Sequence, residues 1–120
     1  MKGENLIEDR SFDFAVRIIN LYKHLQSKHR ENNLSKQVLR SGTSIGANIK
    51  EATHAQSRKD FISKMNIALK ESYETEYWLQ LLNRTDYITD TEFRSIFTEN
   101  QDITNIIAKI VITSKNNQEE

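Results

Sequence analysis

No proline interrupts the 120 residues of this chain. Proline lacks a backbone N–H and its ring clashes with the preceding turn, so it is the commonest helix breaker. A chain without it suits long helices joined by short turns. The apolar residues agree, recurring in alternating steps of three and four, the period of one helix face. Phe14, Ile18, Leu21 and Leu25 form the first stripe, beside a second of Phe12, Ala15, Ile19 and Tyr22. Val38, Gly42, Ile45, Ile49 and Ala52 form the next, with a glycine on the stripe rather than off it. Phe61, Met65, Ala68, Ser72, Thr75, Leu79 and Leu82 follow, then Phe93, Ile96, Asn100, Ile103, Ile107 and Ile110.

Start signals precede each stripe. Ser11 or Asp9 can cap the first helix and Ser35 the second. Ser57 with Asp60, and Thr89 with Glu92, are polar pairs three residues apart that suit the third and fourth N-termini. The spacing predicts helices over 11–28, 36–54, 58–83 and 90–113, with HRENNL as the first turn and 114–120 as a frayed tail. The β-branched run Ile110 to Thr113 is the one place a strand could be argued, but a strand without a partner is unstable. Helix is therefore expected there. Four helices with three short connections predict a single all-α domain, an antiparallel up-down-up-down four-helix bundle. Apolar residues make up 37% of the chain, so the core is modest against the usual ~45–50%. Helices one and four carry more apolar surface than one bundle core needs, which predicts burial between subunits.

Several chemistries are excluded by what is missing. The chain has no cysteine, hence no disulfide, thiolate metal site or thiol nucleophile. It opens without a signal-like apolar run and nowhere approaches the ~20 apolar residues that span a bilayer. A cytoplasmic protein with no membrane partner is the expectation. Seventeen basic residues balance seventeen acidic ones. The balance is uneven: residues 1–84 hold 14 Lys/Arg against 10 Asp/Glu, a net of +4, and residues 85–120 hold 3 against 7, a net of −4. A basic patch is permitted but not announced.

The stretch RSGTSIGANIKEA, residues 40–52, places two of the chain's three glycines four apart. It matches neither the GxxxxGK[ST] phosphate loop nor the GxGxxG dinucleotide turn. A glycine inside a helix costs about 0.8–1 kcal/mol relative to alanine, so something must offset it. On a helix, Ser41, Gly42, Ile45, Gly46 and Ile49 form a smooth face on which a neighbouring backbone can approach closely. The hydroxyls can bond carbonyls one turn earlier and need no ligand.

Antiparallel packing brings Arg40 toward Glu76, or a residue near it, as an ion pair. Glu51 and His54 have the Glu-x-x-His spacing of a metal-binding helix. A di-iron bundle needs two such motifs and two further glutamates, and His24 and His29 are preceded at that spacing by Leu21 and Gln26. No metal, cofactor or catalytic set is predicted. Lys23, Lys28, Arg30 and Lys36 gather toward one end of the bundle, and Arg58 and Lys59 begin helix three, where the helix dipole disfavours cations. These six make a candidate nucleic-acid patch. Tyr77 and Trp78 are expected as core or interface anchors.

The segments SGTSIGANIKEA and SRKDFISKMNIALKESYETEYWLQLL, with FDFAVRIINLYKHL before them, resemble the four-helix bundle proteins encoded within intervening sequences of bacterial 23S rRNA genes. The likeness runs from Phe12 to Leu82 and is sharpest in Arg40 to Asn48 and Glu74 to Leu79. It implies a left-handed antiparallel bundle assembling into a ring, commonly a homopentamer, with no settled activity. Relatives include accessory proteins of diversity-generating retroelements, which look like basic pentamers that bind a reverse transcriptase and nucleic acid. This chain departs from them in being neutral overall. The combined expectation is a non-enzymatic, self-assembling bundle that binds RNA or DNA through its Lys/Arg patches. The alternative is a ring that docks a protein partner without touching nucleic acid.

Overall fold

A computed structural model describes residues 2–119, with side chains for 6–117. Four helices follow one another: α1 Lys2–His29, α2 Leu34–Thr53, α3 Arg58–Arg84 and α4 Asp90–Glu119. They form an antiparallel bundle of 51 × 22 × 21 Å. Each helix packs on its neighbours in the order α1, α2, α3, α4 and back to α1, so α1 and α3 occupy opposite corners. All four expected stripes face the centre, where Phe14, Ile18, Leu25, Val38, Ile45, Leu79, Leu82, Ile103 and Ile107 are sealed from water. The β-branched run from Ile110 is helical.

Two helix boundaries differ from expectation, for one reason. Ser11 does not cap α1, which starts at Lys2. Its hydroxyl donates to the Glu8 carbonyl from a buried position inside the helix. The apolar stripe continues backward to Ile7, which meets Ile49, Phe61, Met65 and Ile110 around a gap of only ≈ 10 Å³. That layer needs a wall from α1, so the helix extends to supply it. For the same reason residues 114–119 are not a frayed tail: α4 runs to Glu119, and Val111 and Ser114 are buried in it.

Capping follows the sequence at two ends and departs from it at a third. Ser57 Oγ accepts the Asp60 N–H at 3.0 Å. Thr89 and Glu92 exchange backbone-to-side-chain bonds of 3.0 and 3.1 Å, a capping box. Ser35 does not cap α2. Arg30 turns the chain at φ 53°, which carries Glu31 under the helix start. Its carboxylate accepts the N–H groups of Asn33 at 3.0 Å and Ser35 at 2.7 Å.

The glycine pair sets the seam between α1 and α2. A Cβ on Gly42 would stand 2.8 Å from two carbons of the Ile18 side chain, and one on Gly46 would stand 3.3 Å from the Ser11 backbone oxygen. The small residues thus admit a buried isoleucine and a bare stretch of backbone. Thr43 returns its proton to the Leu39 carbonyl at 2.7 Å, as expected of a helical hydroxyl. Ile45 and Ile49 point to the core, while Ser41 turns toward α3 and bonds Thr75 at 2.9 Å.

Candidate nucleic-acid interface

The ends of the bundle have distinct chemistry. One end joins the α1–α2 turn to the α3–α4 turn, and His29 there stacks edge-on against Tyr87 at 5.3 Å and beside His24 at 5.8 Å. Lys28, Arg30 and Lys36 lie at this end. Arg84, at the last turn of α3, joins them. Spacing within one helix could not reveal Arg84; only the antiparallel return of α3 brings it here. None of these four makes an ion pair among the described residues.

Two carboxylates at the same end are committed to helix starts. Burial opposes ionisation of Glu31, but N–H bonds from Ser35, Leu34 and Asn33 outweigh it and hold its carboxyl below the usual range. Glu92 is held low chiefly by the Thr89 N–H and hydroxyl, helped by the charge of His24 and Lys28. The positive ends of α2 and α4 are therefore already met by acids of this chain, and an external phosphate has no vacant helix terminus there. Any polyanion must be held by side chains.

The structure does not gather all six predicted patch residues. Arg58 and Lys59 begin α3 at the opposite end of a 51 Å bundle. Lys23 lies on the outer face of α1, five residues before Lys28 and so roughly 140° around the helix from it. The cations of this end are Lys28, Arg30, Lys36 and Arg84, which share it with Glu31, Asp86, Asp90 and Glu92.

The predicted Arg40–Glu76 pair is replaced by a different one. Arg40 Nη1 meets Glu71 Oε2 at 2.9 Å, and Nη2 meets Glu74. Glu71, Glu74 and Trp78 share one face of α3, whereas Glu76 lies roughly 140° round from Glu71. Trp78 Nε1 donates to Glu74 at 2.9 Å, so one carboxylate joins the arginine to the indole. That indole bond, then the arginine, holds the Glu74 carboxyl below its usual range. Trp78 is a half-buried anchor against the core, while Tyr77 is 54% exposed.

Glu51 pairs with Lys64 at 2.9 Å, and His54 closes the end of α2. Among the described residues, no three His, Asp or Glu side chains converge as metal ligands. No described helix is long and apolar enough to cross a membrane.

A family profile described as 23S rRNA-intervening sequence protein matches residues 4–109. The chain belongs to that family. A crystal structure of a protein of unknown function from the S23 ribosomal protein family of Bacteroides thetaiotaomicron VPI-5482 is 56% identical. The likeness covers 91% of this chain and 97% of that one, with a TM-score of 0.90. No curated protein matches the sequence. The four-helix bundle expected of the family is the fold observed.

Proposed function

We propose that this family member is a non-catalytic cytoplasmic scaffold that self-associates, in the manner of a ring such as a pentamer, and holds structured RNA or DNA at its cationic end. The observation that carries the reading is the gathering there of four cations without ion-pair partners among the described residues, beside the exposed Asp86 and Asp90. Lys28, Arg30, Lys36 and Arg84 pair with nothing among the described residues, while Glu31 and Glu92 spend their charge on helix caps. Repetition around a symmetry axis would sum the field of an otherwise modest patch. Self-association is supported by apolar side chains left outside the core, above all Phe12 at 67% exposure.

A protein partner is the second reading. It is favoured by the open groove between α3 and α4, where Tyr77, Leu81 and Phe93 surround Arg84. Titration with RNA and DNA at several salt concentrations, on protein of measured mass, separates the two. Affinity that falls steeply with salt supports the nucleic-acid reading, because bound cations release condensed counterions. Absence of binding at low salt overturns it and leaves the protein partner.

A further inference from the structure

Three rings run in contact across the cationic end. His24 meets His29 with centroids 5.8 Å apart, and His29 meets Tyr87 at 5.3 Å, both edge to face. His24 and Tyr87 are half-buried, whereas His29 is exposed. Tyr87 packs against the core, so the contact props an exposed imidazole on an anchored ring. The sequence neighbours of His29 are Lys28 and Arg30, both exposed and without ion pairs among the described residues.

Two left-handed turns bring these rings together. Arg30 at φ 53° and Asp86 at φ 67° are the non-glycine residues of positive φ among the described residues. One directly follows His29 and the other directly precedes Tyr87. Each closes a helix: the Glu31 N–H donates to the Leu25 carbonyl at 3.1 Å, and the Tyr87 N–H to the Leu82 carbonyl at 2.9 Å. Glycine is the usual residue at such a helix end, because it has no Cβ to crowd. At position 30 an arginine stands there instead, beside the exposed ring.

Four cations and four acids share this end, Lys28, Arg30, Lys36 and Arg84 against Glu31, Asp86, Asp90 and Glu92. Caps engage two of the acids, but their charge still offsets the field. A duplex presents phosphates outward and keeps its bases stacked inside, so it gains little from so mixed a surface. A strand with unpaired bases can add a second contact, a base laid on an aromatic ring, to the same phosphate contacts.

We infer that His29, propped on Tyr87, is a stacking platform for an unpaired base. The nucleic acid is then gripped at a loop, bulge or single-stranded tail rather than along a duplex, with Lys28 and Arg30 on the flanking phosphates. The inference rests on the proposed nucleic-acid reading and names the form of strand that the site takes.

Three labelled probes of one sequence test it by fluorescence anisotropy: a single strand, a hairpin with the same bases in its loop, and a blunt duplex. The titrations run at about pH 8, above the ordinary imidazole range, so that ring charge does not enter. Wild type is expected to bind the single strand and the hairpin on the order of tenfold more tightly than the duplex, the worth of about one stacked base. His29→Ala should remove that preference without changing the slope of affinity against salt, because no cation is lost. His29→Phe should restore it. Position 29 is exposed, so the fold should tolerate both variants, and circular dichroism checks that it does. Equal affinity for the three probes, or a preference that survives His29→Ala or that phenylalanine does not restore, overturns the platform and leaves binding at the cationic end standing. A wild type that binds none of the probes removes the nucleic-acid reading and the platform with it.

Discussion

Thr104 Oγ1 lies 2.9 Å from Ser72 Oγ, with both side chains shut away from water near the middle of the bundle. The contact belongs to a polar layer crossing the core. Ser41 bonds Thr75 from α2, and Asn100 Nδ2 donates to the Ser72 carbonyl at 3.0 Å from α4. Ser72, Thr75 and Asn100 fall on the otherwise mainly apolar stripes of α3 and α4, with Ser41 and Thr104 beside the stripes of their helices. Polar groups there fix how α4 sits on α3, because a shift along the helix would leave hydroxyls without partners.

Asn100 is the flaw in that layer. Its Oδ1 is buried and meets no hydrogen-bond donor of the protein. The Ser72 carbonyl also accepts within its own helix, so losing the amide leaves no second orphan. Asn100→Leu, similar in branching, is expected to raise unfolding stability by about 1–3 kcal/mol, the cost of a buried unmet acceptor. Chemical denaturation reads this directly. A lower midpoint would mean that the core is too tight for the added methyl volume.

At Gly42, the Ile18 side chain already occupies the space of a methyl group. Gly42→Ala gains about 1 kcal/mol of helix propensity but forces Ile18 to move, at about 1–3 kcal/mol. Net destabilisation is expected. In an Ile18→Ala background the same change fills part of a void and should stabilise, so a double-mutant cycle will show strong favourable coupling. Gly46→Leu faces the Ser11 backbone, which cannot step aside, and should lower the melting temperature whatever stands at position 18.

The Glu31 cap makes stability depend on pH in a defined direction. A carboxyl whose folded pKa is depressed stabilises the fold above its unfolded value and loses that effect as pH falls through the folded one. Glu31→Ala should cost about 0.5–2 kcal/mol at neutral pH, as other cap deletions do. The gap between wild type and variant should close as pH drops below the ordinary glutamate value of about 4.3. Denaturation curves followed downward from pH 7 to about pH 3 track the narrowing, and a gap independent of pH would refute the capping role.

Much of this architecture is legible in the chain because it depends on spacing alone. The core stripes, the Ser57 and Thr89 caps and the smooth face of Gly42 and Gly46 are all local patterns. What escapes depends on register between helices or on an unusual backbone turn. Ser11 reads as a cap because a polar residue interrupts the apolar stripe, yet Ile7 beyond it completes the core. Glu31 can cap α2 only because Arg30 adopts a positive φ that nothing in its side chain demands. Arg40 reaches Glu71 and Glu74 rather than Glu76 because helix phase decides which carboxylates face α2. The cationic end is half visible: Lys28, Arg30 and Lys36 are close in sequence, whereas Arg84 joins them only through the fold.

Trp78 is the single tryptophan, so its fluorescence reports the Arg40–Glu74–Trp78 contact without background. As pH falls, protonation of Glu74 should weaken the indole hydrogen bond and change the emission, with a midpoint below the ordinary value of about 4.3. Arg40→Ala removes one of the groups holding that carboxyl low, and should move the midpoint upward. The stability cost should be small, about 1 kcal/mol or less, because Arg40 is half exposed. A midpoint unmoved by Arg40→Ala would assign the depression to the indole bond alone.

The two ends of the bundle give opposite predictions for nucleic-acid binding. Lys28→Glu with Arg30→Glu reverses charge where Glu31 and Glu92 are tied up in caps, and Arg84→Glu does so from α3. Each should weaken RNA or DNA binding and flatten its dependence on salt, since fewer phosphates are neutralised and fewer counterions released. Arg58→Glu with Lys59→Glu alters the far end and places acid at the positive start of α3. That pair should leave affinity close to wild type while slightly raising thermal stability. Parallel titrations at two salt concentrations compare the ends on equal terms. Equal losses at both ends would mean that the polyanion follows the net field of the whole bundle rather than the cluster formed by α1, α2 and α3.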